Sequence, residues 1–325
     1  SSVSSTAILL EVKGPIGPAT VDYVERGLKQ ASLEQTPLLI LQLNTPGGLD
    51  VSMREIIQLL ITSPVPVVTY VAPSGARAAS AGTYILYSSH VAAMAPGTNL
   101  GAATPVQLGA SPVPEVPDSS ADNSSSSGSS AMERKTINDA EAYLRSLAQL
   151  RGRNVEWTVQ AVREGASLSA EDALQKNVID LIAAHVPDLL AQLDGREIQL
   201  IHEKQVLHTT GLTVKRIEPD WRNELLSLIT NPNVAYVLML IGIYGLIFEF
   251  ATPGTLLPGI VGVVSLVLSL YAFQVLPISY AGLALMLLGL ALMIAEAFAP
   301  SFGILGIGGG LAFIVGSIFL MDKNA

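Results

Sequence analysis

Ser80 lies in Pro73-Ser74-Gly75-Ala76-Arg77-Ala78-Ala79-Ser80-Ala81-Gly82-Thr83-Tyr84, a run of small residues that follows the apolar, β-branched stretch Val65 to Val71. A serine in that setting could act as a nucleophile. The stretch before it reads as a buried strand. Ala81 to Tyr87 can open a helix whose first amide groups have no intrahelical partner and face the hydroxyl. Small neighbours on both sides let a peptide carbonyl approach Oγ, although the same residues also gather at tight turns for purely structural reasons. Upstream, the apolar run Leu38 to Leu43 ends in Asn44-Thr45-Pro46-Gly47-Gly48-Leu49-Asp50 and reads as a buried parallel strand turning into a helix. Two adjacent glycines leave bare backbone whose N–H groups can point at a developing oxyanion, or can simply serve a helix-entry turn. With Ser80 one strand further on, nucleophile and oxyanion donors would lie at the same end of neighbouring strands, as acyl transfer requires.

Thr45-Pro46-Gly47-Gly48, the turn Ala78-Ala79-Ser80-Ala81-Gly82, Met94-Ala95-Pro96-Gly97-Thr98, and Ser169 to Leu174 followed by Val178-Ile179-Asp180 occur in that order. In these motifs the chain resembles the NfeD group of membrane-bound serine proteases, relatives of the Clp protease and signal-peptide-peptidase class. The resemblance covers Ala7 to about Ala325 apart from one insert. It implies a ClpP/crotonase-like α/β fold, a Ser-Lys dyad, and association with stomatin- or flotillin-like membrane proteins. It also implies a small soluble β-barrel beyond the membrane part, which would lie past Ala325.

A serine hydroxyl needs a base. The four histidines, His90, His185, His202 and His208, are poorly placed for that task and read as surface or structural groups. Lysine can serve if its amine is neutral at working pH, which takes burial or a neighbouring positive charge. Among seven lysines, Lys135 opens the segment Met132 to Leu150, where Ile137, Ala140, Tyr143 or Leu144, Leu147 and Leu150 recur at helical spacing. A lysine on a helix ordinarily lies on a solvated face. The resemblance, however, matches Arg134 to Asp139 and Tyr143 to Ala148 to the family's dyad-lysine helix. Adjacent Arg134 could disfavour the protonated amine, or could pair with Glu133 or Asp139. On this reading Ser80 is the nucleophile, Lys135 the general base, and the amides of Gly47, Gly48 and Ala81 form the oxyanion hole. Thr98 and Asn99 could line the cleft, although Pro96-Gly97-Thr98 is also ordinary turn chemistry.

Between Ser80 and Lys135 lies a Ser/Pro-rich insert, residues 107–131, which can bury almost nothing and is expected to be disordered or a mobile flap. Around it the pattern alternates between strand and helix. Strands are expected at Ala7 to Val12, Leu38 to Leu43, Val65 to Val71, Val91 to Met94 and Val178 to Ile182. Helices are expected at Ala19 to Leu33, Val51 to Thr62, Glu156 to Glu164, Ala170 to Lys176 and Pro187 to Leu193. Residues 1–200 thus form the protease domain and 201–232 a connector, with Ile198 to Ile217 a tail of short strands carrying no functional signal.

From Pro232 onward charges nearly vanish. Asn233 to Ala251, Leu256 to Leu276, Tyr280 to Phe298 and Gly303 to Met321 are each long enough to cross a hydrocarbon core about 30 Å thick. Residues 233–321 therefore read as a membrane domain of four segments. Glu249 and Glu296, Pro253 and Pro300, Gly259 and Gly306, Ile260 and Ile307, and Gly262 and Gly309 share one offset, 300 − 253 = 47, so the domain reads as two helical hairpins in tandem. Glu249 and Glu296 either carry a function or cap a neighbouring helix. The start at Ser1 without methionine is what signal-peptide removal leaves, which would place the protease domain outside the cytoplasm.

A net charge of −9 with no basic motif argues against nucleic acid as a partner, and no metal-ligand cluster or phosphate-binding glycine motif is present. No cofactor is expected. Two functions fit: a membrane-anchored endopeptidase cutting apolar segments, such as the C-terminal region of a stomatin-like protein, or a non-proteolytic membrane scaffold binding such a partner. A crotonase-type acyl-CoA enzyme shares the fold but needs no serine nucleophile. Assembly into a homo-oligomer is expected by analogy with related proteases.

Overall fold

The computed structural model describes residues 5–105, 126–200, 204–229, 231–251, 257–275, 280–298 and 304–320. These fall into two compact units, one reaching Ser227 and the other beginning at Leu228. The first unit contains β1 (Thr6–Lys13), α1 (Pro18–Leu33), β2 (Leu39–Asn44), α2 (Asp50–Ile61), β3 (Val67–Val71), β4 (Arg77–Ala79), α3 (Ala81–Ser88), β5 (Val91–Met94) and β6 (Asn99–Gly101). It continues with α4 (Ser126–Arg151), α5 (Glu156–Arg163), β7 (Ser167–Ser169), α6 (Ala170–Gln175), β8 (Leu181–Ile182), α7 (Val186–Leu193), β9 (Glu197–Gln199), β10 (Lys204–Val206) and β11 (Thr213–Ile217). The helix α8 (Trp221–Ile229) spans the boundary, and the second unit holds α9 (Pro232–Ala251), α10 (Leu257–Val275), α11 (Tyr280–Phe298) and α12 (Ile304–Leu320).

The main sheet has six strands in the order β11-β1-β2-β3-β5-β8, and every neighbouring pair is parallel. Parallel strands require crossovers, and the intervening helices cover both faces, which explains why the strands read as continuous apolar runs. Alternation along each strand sorts the core. Ile8, Leu10, Leu39, Leu41, Leu43, Val67 and Val71 face Tyr23, Val24, Ile56, Ile57, Tyr84, Leu144 and Trp157. Ala7, Leu9, Ile40, Val68, Tyr70 and Ala93 face Leu189, Leu190, Leu193, Ile198 and Leu207. The fold class is therefore the α/β architecture that the motifs implied.

Three features depart from the sequence reading. Strand β8 comprises only Leu181 and Ile182, because Val178 and Ile179 are used instead to close α6, both donating to the Ala173 carbonyl. The proposed connector is not a separate piece. Its β11 adds to the free edge of β1 in the register Ile8↔Lys215, and the Tyr23 hydroxyl donates to the Ile217 carbonyl at 2.5 Å. Asn223 further on donates to the Ala19 carbonyl and to Asp22. Helix α4 begins at Ser126 rather than Met132, so the last residues of the Ser-rich stretch are helical. The remainder of that insert, 107–125, lies outside the described residues, and with it the expectation of a mobile flap.

In the second unit, α9 packs on α10 and α11 on α12, giving two helical hairpins. The 47-residue repeat is carried by their contacts. A Cβ built on Gly262 would lie 2.9 Å from the Gly242 carbonyl, and one on Gly309 would lie 2.6 Å from that of Gly289. Only glycine lets the two backbones approach so closely. Glu249 accepts the Gly259 N–H at 3.3 Å, and Glu296 accepts the Gly306 N–H at the same distance. Each glutamate thus caps the first turn of the following helix, which favours the structural of the two readings. Among the described residues, Asn233–Ala251 is the one helix long and apolar enough to cross a membrane, with mean hydropathy 2.1. The apolar stretches of the other three are shorter, at Leu257–Leu270, Leu285–Ile294 and Gly306–Ser317. Pro253 and Pro300 lie outside the described residues.

Candidate active site

The site grows from the carboxyl ends of β2 and β3, where open parallel sheets gather their binding groups. The turn after β2 is stitched to the short strand before Ser80. The Thr45 N–H donates to the Arg77 carbonyl at 2.8 Å, and the Ala79 N–H donates to the Thr45 carbonyl at 3.1 Å. Strand β4 pairs with β6, and β6 with β7, in a small second sheet that short, polar sequences gave no reason to expect. Ser80 then caps α3 with φ 52° and ψ −116°. A non-glycine residue holds such a conformation only where its surroundings enforce it, at a cost of about 1–3 kcal/mol. The enforcing contacts are explicit. The Ser80 N–H donates to the Gly101 carbonyl at 2.9 Å, and buried Thr83, one turn along α3, accepts the Gly101 N–H at 3.0 Å. The Thr83 hydroxyl also lies 2.9 Å from the Ala78 carbonyl. Oγ of Ser80 has no hydrogen-bond partner among the described residues, and the side chain is partly exposed.

The two glycines divide their tasks. Gly47 has φ 116°, and a Cβ built on it would lie 2.8 Å from Cβ of Ser80 and 3.2 Å from Oγ, so a side chain there would occupy the approach to the hydroxyl. Its N–H is already used, donating to Thr45 Oγ1 at 3.1 Å. Gly48, held against Ile16 by a backbone bridge, has an N–H with no acceptor among the described residues. The same holds for Ala81, whose N–H opens α3 and so lacks an intrahelical partner. Gly48 and Ala81 thus retain free donors beside Ser80, whereas Gly47 contributes open space and a locked turn.

Lys135 sits on an exposed part of α4 and makes no hydrogen bond or ion pair among the described residues. Its helix runs alongside α3 in the same direction. Tyr84 near the start of α3 stacks on Tyr143 with ring centroids 6.1 Å apart, while Ser88 at its end accepts from Arg151 at 2.8 Å. The Tyr84 hydroxyl also lies 3.5 Å from the Ala140 carbonyl. Back from these contacts, Ser80 lies one turn before Tyr84 on α3, and Lys135 lies five residues before Ala140 and eight before Tyr143 on α4. Asp139, one of the partners considered for Arg134, instead binds Arg54 of α2 at 2.6 Å. Arg54 also binds Asp50 at 2.9 Å and lies 4.3 Å above the Tyr143 ring.

The other polar candidates have structural work. His90 is mostly buried, its Nδ1 accepts the Val67 N–H, and burial beside Arg151 and Arg153 lowers its pKa to about 3. His185 caps α7 by accepting the Asp188 N–H, His208 is exposed, and His202 lies outside the described residues. Buried Thr98 donates to the Ala95 carbonyl at 2.6 Å, as turn chemistry requires, while Asn99 is exposed on β6. Sequence reasoning missed the Thr83–Gly101 clamp and Arg54. Thr83 stood in a noticed motif, but its partner Gly101 is 18 residues away across the small sheet.

Comparison with known proteins follows this division of the chain. Residues 7–202 match the NfeD1b N-terminal domain and residues 233–325 the NfeD integral membrane domain. The chain belongs to the NfeD family. It is 36% identical over 315 residues to the membrane-bound protease PH1510 of Pyrococcus horikoshii, covering 95% of this chain and 68% of that protein. It is 27% identical over 323 residues to the membrane protein NfeD1b of Bacillus subtilis, covering 97% and 67% respectively. Among solved structures it resembles the 1510-N membrane-bound stomatin-specific protease, in a lysine-to-alanine mutant bound to a substrate peptide. That match has 33% identity and a TM-score of 0.60 over 70% of this chain and 98% of the other. A serine-to-alanine mutant of the same protease matches with 32% identity and a TM-score of 0.59 over 67% and 99%. This NfeD chain is thus a membrane protein homologous to a membrane-bound protease.

Proposed function

We propose that this NfeD protein is a membrane-bound serine endopeptidase working through Ser80 and Lys135. The observation that carries the reading is Ser80 itself, held at φ 52° against the side-chain-free Gly47, with unclaimed N–H groups at Gly48 and Ala81. In its unprotonated form Lys135 takes the Oγ proton as Oγ bonds to the peptide carbonyl carbon. The carbonyl oxygen becomes an oxyanion that accepts from Gly48 and Ala81. The C–N bond then breaks, and the Lys135 ammonium returns the proton to the departing amine. Water, deprotonated by the same lysine, releases the acyl group from Ser80.

The substrate class is an apolar segment close to the bilayer, of the kind found in a stomatin-like protein, since the relatives of known structure are named as stomatin-specific. The second unit, whose helix Asn233–Ala251 is long and apolar enough to cross a bilayer, anchors the chain in the membrane. Ser80→Ala and Lys135→Ala should each lower kcat on a quenched-fluorescence apolar peptide by at least about a thousandfold without changing the melting temperature. Labelling of Ser80 by a fluorophosphonate should be lost in both variants. Near-normal turnover by Lys135→Ala would remove the dyad. Partner capture that survives Ser80→Ala, together with no cleavage by the unaltered protein, would favour a scaffold.

A further inference from the structure

Lys135 and Asp139 lie four residues apart on α4, so their side chains share one face of the helix and are within reach of each other. Such a pair would hold the lysine as an ammonium ion on a carboxylate, the form and place in which it cannot take a proton from Ser80. That pair does not form. The Asp139 carboxylate is held by Arg54 at 2.6 Å, and Arg54 is fixed in turn by Asp50 at 2.9 Å and by the face of Tyr143 at 4.3 Å. Tyr143 is itself stacked on Tyr84, whose hydroxyl donates to the Ala103 carbonyl at 3.1 Å. The arginine is thus held from α2 and α4, with α3 supporting Tyr143 behind it, and Lys135 is left without an ion-pair partner among the described residues.

We propose that Arg54 is a positioning residue of the Ser80–Lys135 site, keeping Asp139 occupied so that Lys135 stays free to act as the base. The inference rests on the reading of Lys135 as that base. The charged groups concerned are Glu133, Arg134 and Asp139 on α4 and Asp50 and Arg54 on α2. Arg54 lies one turn into α2, the helix that follows the Gly47-Gly48 turn, so one side chain also couples that helix to the helix carrying Lys135.

The test uses the full chain in detergent with the quenched-fluorescence apolar peptide. Arg54→Met keeps an apolar stem over Tyr143 and removes the charge. It should lower kcat about fivefold or more with KM within about twofold, because the released carboxylate captures Lys135. Arg54→Met combined with Asp139→Asn should recover most of the lost kcat. A merely structural strut would behave oppositely, since removing the second partner could not restore it. Should Arg54→Met fail to fold, Arg54→Gln with and without Asp139→Asn makes the same comparison. The inference is overturned if the single variant retains more than half of the activity, or if the double variant is as slow as the single one. Activity in Lys135→Ala would instead overturn the dyad itself, whatever Arg54 does.

Discussion

At Ser80 the backbone is strained at φ 52°, and the hydroxyl and the Gly48 and Ala81 amides have no partners among the described residues. Contacts several residues away offset the strain. Thr83, Gly101 and the Thr45 turn fix the serine from three directions. Elsewhere in the unit, a titrating group makes a measurable contribution to stability. His90 is buried with Arg151 and Arg153 nearby, which lowers its pKa to about 3, whereas in the unfolded chain it titrates near about 6.5. As pH falls through that window the unfolded state binds a proton and the folded state does not, so stability is lost from pH ~6.5 downward. By pH 5 the loss amounts to at most about 2 kcal/mol. His90→Asn, which retains an acceptor for the Val67 N–H, should remove this part of the difference between urea midpoints at pH 7 and pH 5. An unchanged difference would mean that His90 is not the group responsible.

Among the elements, the helices next to the candidate residues pack on one another. Helix α3 starts at Ser80, α2 starts just after Gly48, and α4 carries Lys135, with the Tyr84–Tyr143 stack and the Arg54 bridges holding the three together. In the second unit the repeated element is a hairpin closed by glycine contacts and a glutamate cap. Gly309→Val would push its side chain into the Gly289 carbonyl, 2.6 Å from where Cβ must sit. It should destabilise the α11–α12 hairpin by about 2–4 kcal/mol, seen as a lower melting temperature in detergent. The exposed Gly308, beside which a Cβ meets nothing within 4 Å, is the control. Equal effects at the two glycines would show that the close approach is not what matters.

For the molecule as a whole, the first unit continues past the point where its sequence stops looking like an α/β domain. The edge strand β11 closes the main sheet, and Arg26 binds Asp220 at 2.9 Å on the following turn. A chain ended at Leu200 should therefore melt well below one ended at Ser227, by roughly 10 °C, since losing a strand of five residues uncovers the apolar β1 edge. Equal melting temperatures would return residues 204–227 to the status of a connector.

Read alone, the sequence determined the alternating α/β pattern, the Pro-Gly-Gly turn, the serine in its small-residue run and the 47-residue repeat. All of these are written in local periodicity or in turn chemistry that a few adjacent residues control. Only the tertiary structure decided which glycine keeps a free amide, which partner occupies Asp139, and that β11 returns to the sheet beside β1. Those outcomes depend on residues far apart in the chain: Thr83 with Gly101, Arg54 with Asp139, Thr6 with Thr213. Local preference carries no record of such distant pairings. They are settled when the strands pack and each buried donor must find its acceptor.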